Sequence, residues 1–277
     1  MMHLSDYGDN QDSGAVVLAI TSGKGGVGKT NIAANLSVCM AAENQRVILM
    51  DADLGLGNLD VLMSIQSRFN LSHVVAGQRT LEEITQIGPN GVEVLCGGSG
   101  IEALANLGQF QRQRLLEEMQ VLQDRSDVIL IDTGAGIHST VISFCLAADH
   151  TLVVTTPEPT AITDAYAMIK VLAAKHYSGR ISLLVNMAQS LTEGKKVYRQ
   201  IADVASRFLN IGVYEAGVLC RDENLVQAVR RRELVVQAFP KTNISRAFRA
   251  ISNRLTKSVN IRAGGEGFFR KVANWFF

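Results

Sequence analysis

Eight consecutive residues, Gly23 to Thr30, have the composition of a phosphate-binding loop. They read Gly-Lys-Gly-Gly-Val-Gly-Lys-Thr, and the glycines allow backbone N–H groups to converge on an anion at the start of a helix. Lys29 would reach the β and γ oxygens of a nucleotide, and the Thr30 hydroxyl would bind Mg²⁺. The alternative is a glycine-rich turn with incidental lysines. The residues predicted to bind the nucleotide here are Gly23, Lys24, Gly25, Gly26, Val27, Gly28, Lys29, Thr30 and Asn31.

A second lysine, Lys24, follows the first glycine of the loop. A site built from Lys29 and Mg²⁺ still lacks a cation on the side of the γ-phosphate that faces away from the loop. A second copy of the chain, facing the first across two ATP molecules, would supply Lys24 in trans as an arginine finger does in other enzymes. We therefore expect Lys24 to be catalytic in an ATP-bound homodimer. The alternative is a solvated loop lysine.

Two aspartates follow the apolar run that ends at Met50. Asp51 and Asp53 begin the segment Asp-Ala-Asp-Leu-Gly-Leu-Gly-Asn-Leu-Asp, and at positions i and i+2 of a strand end their carboxylates point roughly the same way. We expect Asp53 to orient the attacking water in catalysis, and Asp51 to support Lys29 and the metal's water shell. A calcium loop is the alternative, but the segment lacks the bidentate Glu and the ligand spacing that such a loop needs.

A third aspartate, Asp132, ends the apolar run Val-Ile-Leu-Ile-Asp. A carboxylate in this position can hold Mg²⁺ through its water shell, so Asp132 is the third predicted metal residue beside Thr30 and Asp51. Gly134 and Gly136 follow it and would let the backbone approach a γ-phosphate and move when that group leaves. The alternative is an aspartate that caps the next helix.

The elements that must position these residues alternate along the chain. Strands are predicted at Ala15 to Thr21, Arg46 to Asp51, Val92 to Cys96, Val128 to Asp132, Thr151 to Thr155, Ile181 to Asn186 and Tyr214 to Leu219. Helices are predicted at Asn31 to Ala42, Phe110 to Leu122, Ala161 to Ala174 and Lys195 to Phe208. This order predicts an α/β fold with a mostly parallel twisted sheet and helices on both faces, and with the site at the carboxyl ends of the strands.

Composition limits the class of protein. The 277 residues are 47% hydrophobic and carry a formal net charge of +1, so a sizeable core is expected and global charge does not favour nucleic acid. Four scattered cysteines form no Cys-x-x-Cys pair and are expected to be reduced structural thiols. We divide the chain into a flexible tail (1–14), a nucleotide-binding domain (15–258), a glycine-rich linker (259–267) and a terminal helix (268–277).

The last ten residues read Phe-Phe-Arg-Lys-Val-Ala-Asn-Trp-Phe-Phe. At helical pitch they form an apolar face opposite Arg270, Lys271 and Asn274, and they contain no acid. Large aromatics opposite cations are typical of a helix that lies in the interface of an anionic membrane, and ten residues are too few to span one. The alternative is a terminal helix docked on the domain's own core. The predicted membrane-contacting residues are Phe268, Phe269, Val272, Trp275 and Phe276.

The phosphate loop, the Asp51 segment and the Asp132 segment together resemble those of the MinD/ParA superfamily of deviant Walker A (P-loop) ATPases. The resemblance extends from Val16 to about Ala250. Within that superfamily the segment 51–60, Pro-Glu-Pro-Thr-Ala-Ile-Thr-Asp-Ala-Tyr (157–166) and Leu-Val-Asn-Met-Ala (184–188) are most similar to the FlhG family, whose members are also called FleN or YlxH.

The resemblance implies a slow, Mg²⁺-dependent ATPase, active as a dimer, that regulates flagellar number and placement. It also implies that Asn186 reads adenine and that the loop around Arg221 and Asp222 covers the base; an Asn that only ends a strand in a turn is the alternative. A cytoplasmic protein bound reversibly to the inner membrane is expected. MinD-type division-site and ParA-type partition ATPases are the alternative functions, as is a nucleotide-dependent scaffold that antagonises a flagellar transcription activator.

The implied partners are a second copy of the chain, anionic lipid of the inner membrane and flagellar proteins. The flagellar proteins would be an FlhF-like GTPase, a C-ring component or the transcription activator, and DNA is not expected. Two departures from the family pattern bear on this. Cys220 replaces a proline common among relatives, and residues 1–13 lack the Asp-Gln-Ala-x-x-Leu-Arg motif through which some FlhG proteins activate FlhF.

Overall fold

A computed structural model of the chain describes residues 14–53, 58–97, 109–258 and 268–276. Its strands are β1 (Val16–Ser22), β2 (Val47–Ala52), β3 (Gln86–Ile87), β4 (Glu93–Leu95), β5 (Val128–Ala135), β6 (His150–Thr155), β7 (Arg180–Ala188) and β8 (Tyr214–Cys220). They form one eight-stranded sheet in the order β3-β4-β2-β5-β1-β6-β7-β8. Neighbouring strands are parallel except for β3 and β4, which confirms the predicted fold class.

Helices connect the strands and cover both faces of the sheet. Within the described ranges they are α1 (Lys29–Ala42), α2 (Leu59–Leu62), α3 (Leu71–Val75), α4 (Leu81–Ile84), α5 (Gln109–Arg125), α6 (Ser139–Ala147), α7 (Pro159–Ala174), α8 (Leu191–Leu209), α9 (Glu223–Arg230), α10 (Val235–Ala238), α11 (Asn243–Ser258) and α12 (Phe268–Phe276). The four internal helices predicted from periodicity are therefore present, each extended by a few residues.

The core has two layers because side chains alternate along each strand. In β1, Val17 and Ala19 belong to the layer beneath α3 to α8 and α12, whereas Leu18 and Ile20 belong to the layer beneath α1, α2 and α9 to α11. Both sets are almost fully buried. A strand that is apolar on both faces reads as a continuous hydrophobic run, which explains why these strands were recognisable in the sequence.

The central strands bring the predicted chemistry to one edge of the sheet. β1 pairs with β5 so that Ile20 is opposite Asp132, and β2 pairs with β5 so that Asp51 is opposite Asp132. The phosphate loop follows β1 directly. Three segments that are far apart in the chain therefore meet at the carboxyl ends of adjacent parallel strands, where α/β proteins bind ligands.

The seven predicted strands are all present, whereas β3 was not predicted. It is two residues long and pairs antiparallel at the edge of the sheet, so it offers no apolar run to detect. The predicted flexible tail lies outside the described residues except for Gly14, and so does the whole predicted linker. Residues 54–57 of the aspartate segment also lie outside them.

The terminal helix α12 packs on the domain. Phe268, Phe269 and Val272 are buried in the layer formed with α5 and α6, and the ring of Phe268 stacks near that of Phe144 with centroids 6.4 Å apart. Arg270 is exposed. The amphipathic face predicted from the sequence is thus a docking face in this structure, which is the arrangement named above as the alternative to membrane contact. The side chains of Trp275 and Phe276 lie outside the described residues.

No helix in the described part of the chain has both the length and the apolar character needed to cross a bilayer. Cys39 and Cys145 are buried thiols, and Cys96 and Cys220 are half-buried ones. Over the same residues, no group of three His, Cys, Asp or Glu side chains is arranged to hold a metal ion by itself.

Candidate nucleotide site

The phosphate loop connects β1 to α1. Gly28 precedes the helix with φ 92° and provides no side-chain cap, so the backbone N–H groups of the first turn are not satisfied by a capping side chain. Gly26 also has a positive φ of 77°. Such backbone angles suit glycine, and an uncapped helix N-terminus provides donors and a favourable dipole for an anion.

Two of the loop glycines are required by close neighbours. A Cβ on Gly23 would lie 2.1 Å from the carbonyl oxygen of Asp164 in α7, and one on Gly28 would lie 2.6 Å from Nδ2 of Asn186. The amide of Asn186 donates to the carbonyl of Val27 at 2.8 Å. The loop is therefore held against β7 and α7. The lack of space for a Cβ, and not only the backbone conformation, explains why these two positions are glycine.

Lys29 begins α1 as a buried lysine with 8% of its surface exposed. Burial lowers its pKa, while the nearby carboxylates of Asp132 and Asp53 act in the opposite direction. These two aspartates thus lie close enough to stabilise the ammonium form. The lysine predicted to bind phosphate and the aspartates predicted to bind metal and water share one site.

Asp132 is 1% exposed, and burial raises its pKa to about 7 against a hydrogen bond donated by the Thr30 hydroxyl. Its Oδ1 atom is buried and has no hydrogen-bond partner among the described residues. A buried carboxylate oxygen without a partner is costly unless a ligand or water completes the site. Together with the Thr30 hydroxyl, this oxygen fits the predicted role of holding Mg²⁺ through its water shell.

Asp51 and Asp53 differ in their surroundings. Asp51 is buried, which raises its pKa to about 6, and its Oδ1 accepts a hydrogen bond of 3.0 Å from the backbone N–H of Asp53. Asp53 is half-buried, and its carboxylate lies against Gly134, where an added Cβ would be 3.5 Å from Oδ1. Asp53, which we expect to orient the attacking water, is thus the more accessible of the two carboxylates. It lies next to the glycine segment that is predicted to move.

The segment after Asp132 lies beside the phosphate loop. The N–H of Gly136 donates to the carbonyl of Ser22 at 2.8 Å, and Gly136 has φ 92°. The Ser22 hydroxyl donates to the carbonyl of Lys24 at 2.7 Å. A displacement of the Gly134 to Gly136 backbone would therefore be transmitted through Ser22 to the backbone of Lys24.

The side chain of Lys24 contacts the beginning of α7. Its Nζ lies 2.7 Å from Oε2 of Glu158 and 3.0 Å from the hydroxyl oxygen of Thr160, at the beginning of α7. This contact lowers the pKa of Glu158. The side chain of Lys24 remains 38% exposed. The ammonium is therefore held at the surface of the subunit by its own helix α7.

A mainly apolar cavity of about 450 Å³ lies on the other side of the loop, next to Asn186. Its walls combine backbone of the loop with side chains of α1, α9 and α11. A planar base fits such walls, and Asn186 uses one amide hydrogen for Val27, which leaves its oxygen and a second hydrogen for a base edge. The lining residues are Gly28, Asn31, Ile32, Asn186, Met187, Leu225, Val226, Val229, Arg230 and Phe248.

Arg221 and Asp222, predicted to cover the base, follow β8 at the same edge. Asp222 caps α9, accepting hydrogen bonds from the backbone and side chain of Asn224 at 2.8 and 2.9 Å. Arg221 donates to the carbonyl of Met187 at 3.2 Å. Both side chains thus organise the loop between β7, β8 and α9, and their contact with a base stays a prediction.

Sequence reasoning missed Glu158 and Thr160 as partners of Lys24 and the apolar wall of the cavity. The Pro-Glu-Pro-Thr segment contains both partners, but only tertiary structure brings them to Lys24, which is 134 and 136 positions away. Val226 and Val229 are exposed valines on a short helix, and such a pattern does not indicate a nucleotide-base site.

A doubly covered parallel sheet with a glycine loop, a buried loop lysine and paired acids at its carboxyl edge defines a P-loop NTPase. The protein-family model described as ParA, with the description NUBPL iron-transfer P-loop NTPase, matches residues 14–256. The antiactivator FleN of Pseudomonas aeruginosa is 40% identical over 239 residues, which cover 86% of this chain and 85% of FleN. The flagellum site-determining protein YlxH of Helicobacter pylori is 34% identical over 267 residues, which cover 93% of this chain and 90% of YlxH.

Solved structures agree with the fold. The septum site-determining protein MinD of Pyrococcus horikoshii, solved in complex with Mg-ADP, matches with a TM-score of 0.71 and 24% identity over 91% of this chain and 100% of that one. The chain therefore belongs to the MinD/ParA family of P-loop ATPases. Its sequence is more similar to that of the antiactivator FleN than to that of YlxH.

Proposed function

We propose that this chain is an ATP-dependent switch in which two subunits dimerise across two ATP molecules. The observation that carries the proposal is the position of Lys24, which leaves the phosphate loop and reaches the subunit surface beside α7. A surface ammonium next to a nucleotide site is available to the γ-phosphate of a facing subunit. Asp53 would orient the water, and Lys29 would neutralise charge within its own subunit.

The nucleotide and metal follow from the same site. The 450 Å³ cavity at Asn186 would take adenine, the uncapped start of α1 the phosphates, and Thr30 with Asp132 and Asp51 the Mg²⁺ and its water shell. When bound, Mg²⁺ supplies positive charge to the phosphate oxygens. Iron transfer is not favoured, since the four cysteines form no Cys-x-x-Cys pair.

The biological role that we propose is control of flagellar number and placement. It is supported by the relatives FleN, an antiactivator, and YlxH, a flagellum site-determining protein, each of which the chain matches over more than four fifths of its length. The partner proteins would be an FlhF-like GTPase, a C-ring component or a flagellar transcription activator.

We further propose that α12 attaches the protein peripherally and reversibly to the inner membrane from the cytoplasmic side. In the structure its apolar side chains Phe268, Phe269 and Val272 are docked on α5 and α6, so attachment requires undocking. A membrane interface would replace the lost burial of each side chain, roughly 1.5–3 kcal/mol for a large apolar residue. Two helices on one dimer gain from effective concentration, which couples attachment to ATP.

The test measures dimer mass and vesicle sedimentation together, with ADP and with a non-hydrolysable ATP analogue. The full chain is compared with a chain that ends at Gly265. Trp275 is the chain's single tryptophan and belongs to α12, so quenching of its fluorescence by brominated lipid reports insertion of this helix. We expect dimerisation, sedimentation and quenching only with the ATP analogue, and sedimentation only of the full chain. A monomer under every condition would refute the switch.

A second candidate is a nucleotide-dependent scaffold that antagonises a flagellar transcription activator, with incidental hydrolysis. The name of the relative FleN, an antiactivator, favours it. Asp53→Ala distinguishes the two hypotheses because it removes the carboxylate that would orient the water, while the residues that would bind the nucleotide remain. If this variant dimerises with ATP and still regulates flagella normally in cells, the scaffold is correct; locked membrane binding and altered flagellar number support the switch.

A further inference from the structure

Charge is unevenly distributed along this nearly neutral chain. Residues 230–277 contain eleven Lys and Arg but two Glu, a net charge of +9, whereas the whole chain is +1, so the first 229 residues have a net charge of −8. A basic C-terminal segment on an otherwise acidic protein indicates an anionic partner for that part of the molecule.

Helix α11 displays this charge on one face. Its inner face has six buried residues, Ile244, Ser245, Phe248, Ile251, Ser252 and Leu255, whereas Arg246, Ala250, Asn253, Arg254 and Lys257 are exposed. These exposed positions recur at the spacing of a single helical face, and α11 contains no acid. We call the exposed face of α11, with Lys241 before it, the basic face.

Three cations of the basic face are not neutralised by ion pairs with acids in the described part of the chain. No ion pair found among the described residues involves Lys241, Arg246 or Lys257. Arg254 donates to the backbone carbonyls of Glu215 and Ala216. Of the elements packed on α11, α1 and α10 contain no acid and β8 contains Glu215, so the basic face keeps an excess of positive charge.

The location of α11 connects this face to the terminal helix. Arg254 contacts the first residues of β8, and the hydroxyl of Thr256 lies 3.4 Å from Oε1 of Gln45, just before β2. The end of α11 is therefore at the edge of the sheet opposite the nucleotide site. Nine residues separate α11 from α12, and they can span at most about 35 Å. A membrane-bound α12 would keep Lys257 within about 35 Å of the bilayer and so allow the basic face to reach it.

We propose that the basic face of α11 is a second membrane contact, which binds the phosphate groups of anionic lipid while α12 inserts its apolar side chains. The inference rests on the membrane attachment proposed above. Short tethering to an amphipathic helix favours lipid over nucleic acid, since the same anchor that holds α12 in the interface brings this face to the headgroups.

The test uses the full chain with the ATP analogue and vesicles of phosphatidylcholine with and without about 30% phosphatidylglycerol, an anionic lipid. The variant combines Lys241→Gln, Arg246→Gln and Lys257→Gln. Each surface charge is worth about fivefold in binding, so the affinity for anionic vesicles should fall on the order of 100-fold at low salt, with a weaker salt dependence. Binding to neutral vesicles, dimer mass and ATP hydrolysis should not change.

A matched control removes three exposed cations of α8 instead, by Lys195→Gln, Lys196→Gln and Arg199→Gln. An equal loss in the control would overturn the inference in favour of a general charge effect. Unchanged vesicle binding by the α11 variant would overturn the inference about the basic face, whether or not that variant loses binding to a DNA duplex. The proposed attachment of α12 would not be affected by that result. Failure of the unmodified chain to bind any vesicle would overturn the proposed membrane attachment as well.

Discussion

Lys24 and Glu158 form an ion pair within one subunit, with Nζ and Oε2 2.7 Å apart, and Thr160 accepts a second hydrogen bond from the same ammonium. The lysine that we assign to a partner's nucleotide is thus engaged by its own helix α7 in this structure. Both side chains are substantially exposed, so the pair is weak enough to break when a stronger anion is offered.

Lys24→Ala should reduce the turnover number by at least about 100-fold, because a cation supplied in trans is a large term in phosphoryl transfer. Binding of the ATP analogue should change only a few fold. Mixing Lys24→Ala with Asp53→Ala provides the decisive check. A mixed dimer contains one site with its own Asp53 and the partner's Lys24, so up to about a quarter of the activity should return; no recovery would mean that Lys24 acts within its own subunit.

Glu158→Gln should lower the ATP concentration needed for dimerisation, by no more than about fivefold because an exposed ion pair contributes little. The physical reason is that Lys24 no longer leaves a partner when it moves to the facing subunit. Dimer mass against ATP concentration measures this. Glu83→Gln breaks the comparably exposed pair with Arg79 and is the control; the same shift in both variants would argue against a specific role for Glu158.

Asp132→Asn should alter the pH dependence of stability without nucleotide or Mg²⁺. Burial raises the pKa of Asp132 to about 7 from the ordinary value of 3.8. The folded state thus holds its proton more tightly than the unfolded state, and the carboxyl's contribution to stability is lost as pH rises from about 4 to about 7. The variant should therefore gain about 1–3 kcal/mol in free energy of unfolding near pH 8.

Denaturant unfolding near pH 4 and pH 8 tests this, with Asp60→Asn, an aspartate in the first turn of α2, as the control. A gain equal at both pH values would contradict the assigned cause. Added Mg²⁺ and ATP analogue should stabilise the unmodified protein at pH 8 and Asp132→Asn much less, because the variant lacks the carboxylate that holds the metal's water shell.

Gly23→Ala should destabilise the protein by about 1–3 kcal/mol, as overpacking typically does. The added Cβ would lie 2.1 Å from the backbone carbonyl oxygen of Asp164, which cannot rotate away. Gly25→Ala is a matched control in the same loop, because its Cβ meets nothing closer than 4.0 Å, the Cβ of Ala135. Thermal unfolding without nucleotide compares the two, and equal losses would indicate a general intolerance of side chains in the loop.

Asn186→Ala should reduce the preference for ATP over GTP by roughly tenfold, the value of one or two hydrogen bonds to a base edge. The same variant loses the hydrogen bond to the carbonyl of Val27, so ATP affinity alone is an ambiguous measure. Competition between the two nucleotides separates base reading from loop distortion. A drop in affinity for both nucleotides with an unchanged ratio would limit Asn186 to support of the loop.

The fold and much of the site could be predicted because their signals are local. Strands buried on both faces, such as β1 and β5, appear as continuous apolar runs, and the phosphate loop needs a contiguous set of glycines. The predicted helix at the C-terminus is also present. The short elements β3, α2 to α4 and α10 were missed because two to five residues do not establish a period. The longer helices α6, α9 and α11 were not among the predicted ones either.

The sequence by itself determined which residues have the chemistry for a phosphate, a metal and an attacking water, and that adjacent parallel strands would assemble them. Only tertiary structure decided where Lys24 points, which side chains form the cavity beside Asn186, and that α12 docks through Phe268 and Phe269. Amphipathic periodicity specifies an apolar face but not what covers it, since a core and a membrane interface bury the same side chains. Contacts between distant segments depend on how the layers pack, and that information is spread over the whole chain.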